Sequence, residues 1–193
     1  MNRIVDNHEY IDQYNWSSLI TETDNQEIMR VVKSIIDNGN YFKNSPKFQT
    51  QENLFARQET VFLKMRQSFI YSCFMFLGGE VRIKNMMSWC FMTSQNEVEN
   101  REDLWHTHHL NDNNGTTNTL SGVWYVNIPK SITNYDTAGT EFCLDWANKQ
   151  DYIYLRPNNL TWNIYPSKLW HRPGIIDTDE YRFVFAADME YYK

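Results

Sequence analysis

Gly78-Gly79 divides the chain into two stretches whose apolar residues recur with different periods, and this change of period is the strongest constraint on its fold. Before it, Ile28, Val31, Val32, Ile35 and Ile36 follow helical spacing within 23–38, with Thr23 or Asp24 placed to cap the start and Gly39 to end it. Leu54, Val61, Phe62, Met65 and Phe69 recur at three- and four-residue intervals, which predicts a second, longer helix from 52 to about 71. The polar segment 41–51, with Pro46, reads as the loop between them. After Gly79 the pattern breaks into short runs rich in strand-forming residues: 81–83, 86–92, 104–108, 120–128, 140–144, 152–155, 161–165 and 181–188. That count approaches a double-sheet jelly roll, and helices followed by strands indicate an α+β chain with N-terminal helices packed on one sheet.

The 193 residues suit a single domain, 1–193, with 1–80 as helical support and 81–193 as the jelly-roll core. Aromatic residues make up 16% of the chain, which favours a sheet-rich core over an aliphatic helical bundle. A net charge of -6 and a pI near 5.3 argue against coverage of long nucleic acid by phosphate neutralisation. Cys73, Cys90 and Cys143 are odd in number and lack CxxC spacing, so they read as buried thiols of a reducing compartment rather than a disulfide framework. The N-terminus shows no signal-like apolar core and the longest apolar run, 73–77, is too short for a bilayer. The expectation is a soluble protein of the cytoplasm, a host cytoplasm if the chain is viral, without a membrane partner.

Four of the five histidines fall in two places, Trp105-His106-Thr107-His108-His109 and the lone His171. Imidazole is the commonest ligand for iron, copper and zinc, and a His-x-His pair on a strand sets two rings on one face roughly 7 Å apart along the backbone. A later strand carrying His171 would complete three ligands on one face of an octahedral ion, leaving positions open for a cosubstrate and dioxygen. The usual facial set has two histidines and one carboxylate, so His108 occupies the place of an Asp or Glu. Three occupants are open for that position: His108 itself, Asp112 from the adjacent loop, or water. His109 reads as a bystander. Neither HExxH nor the deaminase Pro-Cys-x-x-Cys pattern occurs, so no zinc-site general base accompanies the ligands and iron fits better.

Eleven residues beyond His171 lies Arg182, and strand alternation puts Arg182, Val184 and Ala186 on one face. An arginine in a core strand needs an anionic partner, which a dicarboxylate chelating iron at its other end would supply through the guanidinium fork.

The residues Ser88-Trp89, His106-x-His108, Ser121-Gly122-Val123-Trp124-Tyr125-Val126, Gly139-Thr140-Glu141-Phe142, Tyr165-Pro166-Ser167-Lys168-Leu169-Trp170-His171 and Arg182-Phe183-Val184-Phe185 resemble the Fe(II)- and 2-oxoglutarate-dependent oxygenases found in bacteria and phages. The resemblance spans roughly 80–190. It implies a double-stranded β-helix, a cupin-like jelly roll with iron at its open mouth. It also implies His106 and His171 as metal ligands, His108 at the second ligand position, and Arg182 as anchor of the remote carboxylate of 2-oxoglutarate. Tyr125 reads equally as a donor of its hydroxyl to that cosubstrate and as packing in the core. The implied activity is a dioxygenase, a hydroxylase of a peptide or small molecule that consumes dioxygen and releases succinate and carbon dioxide. No catalytic side chain is needed beyond the metal centre, in keeping with the lack of any triad-like set. Two other readings stand beside it: a three-histidine cupin-type metal enzyme without 2-oxoglutarate, and a non-catalytic jelly-roll module. Trp105, Trp124, Trp162 and Trp170 flank the motifs and read as aromatic packing, and Gly139 reads as relief of crowding where a strand bends or nears the site.

Overall fold

The computed structural model describes residues 3–5, 10–42, 48–94, 101–108 and 117–192. Among them the elements run β1 (Arg3–Val5), β2 (Asp12–Asn15), α1 (Glu22–Asp37), β3 (Phe48–Gln49), α2 (Thr60–Leu77), β4 (Ile83–Thr93), β5 (Thr117–Asn127), β6 (Thr140–Asp145), β7 (Gln150–Leu155), β8 (Thr161–Pro166), β9 (Trp170–Pro173) and β10 (Arg182–Tyr192). A six-stranded sheet in the order β2-β8-β5-β10-β4-β3 lies across from a four-stranded sheet in the order β1-β7-β6-β9. Pairing is antiparallel except for β1 with β7.

The helices form where the period predicts, with corrected ends. α1 is capped by Thr21, not by Thr23 or Asp24: the Thr21 hydroxyl accepts from the Asp24 N–H while the Asp24 carboxylate accepts from the Thr21 N–H. The 52–71 prediction resolves into a short 3-10 turn, Leu54–Ala56, and then α2, which starts at Thr60 and continues to Leu77. The break falls at Arg57 to Glu59, where Arg57 and Glu59 adopt extended backbone angles. Runs 86–92, 120–128, 140–144, 152–155, 161–165 and 181–188 are strands. Two are not as predicted: 81–83 contributes only Ile83, and 104–108 is no strand but a 3-10 turn followed by a single bridge residue, His106. β1, β2, β3 and β9 are short strands that the runs did not include, β3 lying in the predicted 41–51 loop.

Alternation along the long strands gives the larger sheet two unlike faces. Trp124 of β5, Trp162 and Ile164 of β8 and Phe185, Ala187 and Met189 of β10 face α1 and α2, packing with Ile28, Val32, Phe62, Met65 and Phe69. Each fully buried side chain of this size contributes about 1.5–3 kcal/mol by leaving water. The indole N–H groups are satisfied there by helix polar residues: Trp124 donates to Asn25 Oδ1 at 3.0 Å and Trp162 to Ser68 Oγ at 2.8 Å. α2 comes close enough to β5 that a Cβ on Gly122 would lie 2.7 Å from the Phe69 ring. The opposite face, with Phe91, Val123, Tyr125, Tyr165, Val184 and Ala186, packs against Phe142, Ile153 and Leu155 of the smaller sheet. This second, thinner core opens at one end into a cavity.

Candidate metal centre and the cavity beside it

His106, His108 and His171 come together at the mouth between the two sheets. One ring nitrogen from each lies within 4.8 Å of the others, and ring centroids are 4.4 to 4.9 Å apart. His106 and His171 exchange backbone hydrogen bonds in both directions, each 3.1 Å, so the bridge itself brings the two side chains face to face. The His108 N–H donates to the Ser167 carbonyl at 3.0 Å. The His-x-His spacing thus aligns the rings as expected, although no strand carries it.

That segment is held in place by Arg172 of β9. Its Nε donates to Glu141 at 2.8 Å, its Nη1 to Glu102 at 2.9 Å, and its guanidinium lies 4.3 Å from the centroid of the Trp105 ring. Glu141 on β6 is 2% exposed, and Arg172 stays strongly basic because these two carboxylates outweigh the cost of its burial. Arg172 and Glu141 were not among the residues singled out from sequence, although both sit inside or beside quoted motifs.

The tautomers are set before any ion binds. Nδ1 of His106 lies 2.7 Å from the Leu104 carbonyl and Nδ1 of His171 lies 2.8 Å from the Leu169 carbonyl. A carbonyl only accepts, so Nδ1 carries the proton and the lone pair is on Nε2. Nδ1 of His108 is 2.9 Å from Asp188 Oδ1, which has the same effect. With Nδ1 engaged in each ring, Nε2 is the nitrogen left for a first-row transition metal, whose nitrogen donors on adjacent corners stand roughly 3 Å apart at bond lengths of about 2.0–2.1 Å. Asp112 and His109 lie outside the described residues.

A cavity of about 420 Å³ extends from the histidines down to Arg182, within the usual range for small-molecule sites. Arg182 is 1% exposed; its Nη1 donates to the carbonyls of Ala138 and Gly139, and its Nη2 to Thr93 Oγ1 at 3.1 Å. These bonds hold the guanidinium in place at the floor of the cavity. Gly139 makes the arrangement possible, since a Cβ there would fall 1.9 Å from the Leu155 carbonyl oxygen. Tyr125, also lining the cavity, shares a 2.7 Å hydrogen bond with Thr140 Oγ1. Burial pushes its hydroxyl up to about 12, against the opposing pull of Thr140 and the nearby Arg182 charge.

Tyr165 also lines the cavity, its ring centroid 5.0 Å from that of His171. Its buried hydroxyl has no hydrogen-bond partner among the described residues, and burial pushes it well above the usual phenol range. A buried donor left open in this way fits an oxygen-bearing ligand between the histidines and Arg182. Sequence reading treated this residue only as part of a motif.

No family model and no curated protein matches the sequence. Solved structures do match its backbone. A Pseudomonas putida prolyl-4-hydroxylase aligns with a TM-score of 0.61 at 10% identity, over 95% of this chain and 93% of that one. A Trichoplax adhaerens prolyl hydroxylase in complex with a hypoxia inducible factor peptide fragment gives 0.61 at 11%, over 95% and 84%. The non-heme alpha ketoglutarate dependent carbocyclase SnoK from nogalamycin biosynthesis gives 0.66 at 8%, over 95% and 80%. The fold is a double-stranded β-helix. In this double-stranded β-helix the helices cover the outer face of the larger sheet, as the α+β reading expected, and the histidines stand at the open end. Among the described residues no helix is long and apolar enough to cross a membrane, and the three cysteines are buried free thiols.

Proposed function

We propose that the chain is an Fe(II)- and 2-oxoglutarate-dependent dioxygenase, acting as a single domain over 1–193, that holds its metal through His106, His108 and His171. The observation that carries this reading is the common cavity. Three histidines with preset Nε2 donors stand at one end, Arg182 is buried at the other, and the phenols of Tyr125 and Tyr165 lie between. The arrangement matches a dicarboxylate that chelates at its keto end and salt-bridges at its far end. In that role the Arg182 fork binds the remote carboxylate and the Tyr125 hydroxyl supports it. When bound, iron with 2-oxoglutarate supplies the activation of dioxygen, with succinate and carbon dioxide as coproducts. The protein's own residues orient these groups and exclude water: Phe91, Val123 and Val184 give the cavity apolar walls.

The primary substrate is a peptide or small molecule that is hydroxylated at the open mouth. Similar folds include prolyl hydroxylases and a carbocyclase, so the scaffold accommodates both kinds of substrate. The three-histidine set, without a carboxylate ligand among the described residues, keeps one competing reading in play: a metal enzyme that uses no 2-oxoglutarate.

Anaerobic addition of Fe(II) and then 2-oxoglutarate separates the two. The proposed enzyme develops the visible charge-transfer absorption of the chelate, His171→Ala abolishes it, and Arg182→Ala raises the 2-oxoglutarate concentration needed while leaving metal binding nearly intact. Wild-type protein that binds iron but shows no band with 2-oxoglutarate overturns the cosubstrate assignment.

A further inference from the structure

The three imidazoles are oriented alike but not by the same kind of group. His106 and His171 lean on backbone carbonyls, whereas His108 leans on the carboxylate of Asp188. This carboxylate is built in. Its side chain is 13% exposed, and Oδ1 also accepts a 2.6 Å hydrogen bond from Ser121 Oγ, which lies 2.8 Å from Ser167 Oγ. Ser121 is 0% and Ser167 1% exposed, so side chains from within β5 and β10, the residue after β8 and the His108 backbone bond to Ser167 meet in one packed polar knot. Asp188 belongs to the inward row of β10 that begins at Arg182 and continues through the small residues Val184 and Ala186, which line the cavity. One strand thus places a cation at the cavity's base and an anion behind one of its ligands.

We propose that Asp188 is a positioning residue that supplies, through the Nδ1–H of His108, the negative charge that a carboxylate ligand would otherwise bring to the metal. The proposal rests on the metal-site reading above but not on the identity of the cosubstrate. A histidine whose far nitrogen donates to a carboxylate is a more basic ligand with a fixed ring plane, and removing such a partner commonly weakens metal binding 10–100-fold. The charge balance of a two-histidine, one-carboxylate centre is then kept with the carboxylate one imidazole further out. All three protein donors become nitrogen, which suits iron, copper, nickel and zinc alike.

The test is a double-mutant cycle on metal affinity, measured anaerobically by titrating metal-free protein with Co(II), with no 2-oxoglutarate present. Asp188→Asn keeps the shape and an acceptor oxygen but removes the charge. It is expected to lose about 10–100-fold in Co(II) affinity and to shift the visible Co(II) spectrum, while the melting temperature of metal-free protein follows the wild type. In a His108→Ala background the same substitution is expected to change affinity less than about twofold, because its effect has no other route to the metal. Equal affinity of Asp188→Asn and wild type overturns the proposal, as does an equal loss in both backgrounds. Should Asp188→Asn fail to fold, Asp188→Ser, which also removes the charge, takes its place in the cycle with the same two expectations. Wild-type protein that binds Co(II) but gives no chelate band with iron and 2-oxoglutarate sinks the cosubstrate reading alone. Wild-type protein that binds no metal sinks both.

Discussion

The two faces of the six-stranded sheet are made by the same strands and do opposite work. On the helix side β5, β8 and β10 present Trp124, Trp162 and Phe185, all 0% exposed and closed over by α1 and α2. An odd number of residues away, one from Trp124 and Phe185 and three from Trp162, Tyr125, Ala186 and Tyr165 line the cavity. Strand parity is the cause: a shift of one residue moves a side chain through the sheet, so the stability-bearing row and the chemistry-bearing row interleave without sharing atoms. Substitutions in the two rows should therefore separate loss of folding from loss of binding.

The largest effect is expected from Trp162→Ala on the helix face, where a fully buried indole and its bond to Ser68 are removed together. Urea denaturation should show about 3–5 kcal/mol of lost stability, while protein that remains folded binds metal as before. Arg172→Ala would break the strict division, since it lies beside the site yet leaves Glu141 buried without its guanidinium. A loss of about 3 kcal/mol is expected, together with weaker metal binding because the Trp105–His108 segment loses its clamp. A stable variant with unaltered metal affinity would show that the two backbone bonds to His171 suffice.

Ala186→Leu sharpens the comparison from the other side by filling cavity space. Its cost in stability is expected to stay near 1 kcal/mol, while 2-oxoglutarate binding, followed by the chelate absorption, falls more than about tenfold, equivalent to 1.4 kcal/mol. The smallest effect is expected for Tyr125→Phe. Losing its bond to Thr140 costs about 1 kcal/mol, and isothermal titration should show a few-fold weaker cosubstrate with unchanged metal affinity.

Much of the candidate site was legible because the capacity to ligate is carried by residue type. His106, His108, His171 and Arg182 could be picked out by their rarity and their order. The parity that placed Arg182, Val184 and Ala186 on one face, continued by one more step, reaches Asp188; the row was there to be read two residues further. The Thr21-x-x-Asp24 box was likewise visible and lost to a start placed two residues late. Other features left no local trace. β2, with the sequence Asp-Gln-Tyr-Asn, is a strand because β8 offers it an unpaired edge, not because its residues alternate. The 104–108 segment has strand-like composition yet makes one bridge, and its geometry is imposed from outside by Arg172 and His171.

The sequence by itself determined the two periods, hence helices before strands, and the identity of the groups able to bind metal and anion. Those follow from side-chain chemistry and local alternation, which a chain carries wherever it goes. Only the tertiary structure decided that Asp188 stands behind His108, that Tyr165 leaves its hydroxyl open to the cavity, and that Arg172 holds the ligand segment. Each of these joins residues far apart in sequence, and such contacts exist only once register and sheet packing have fixed which faces meet.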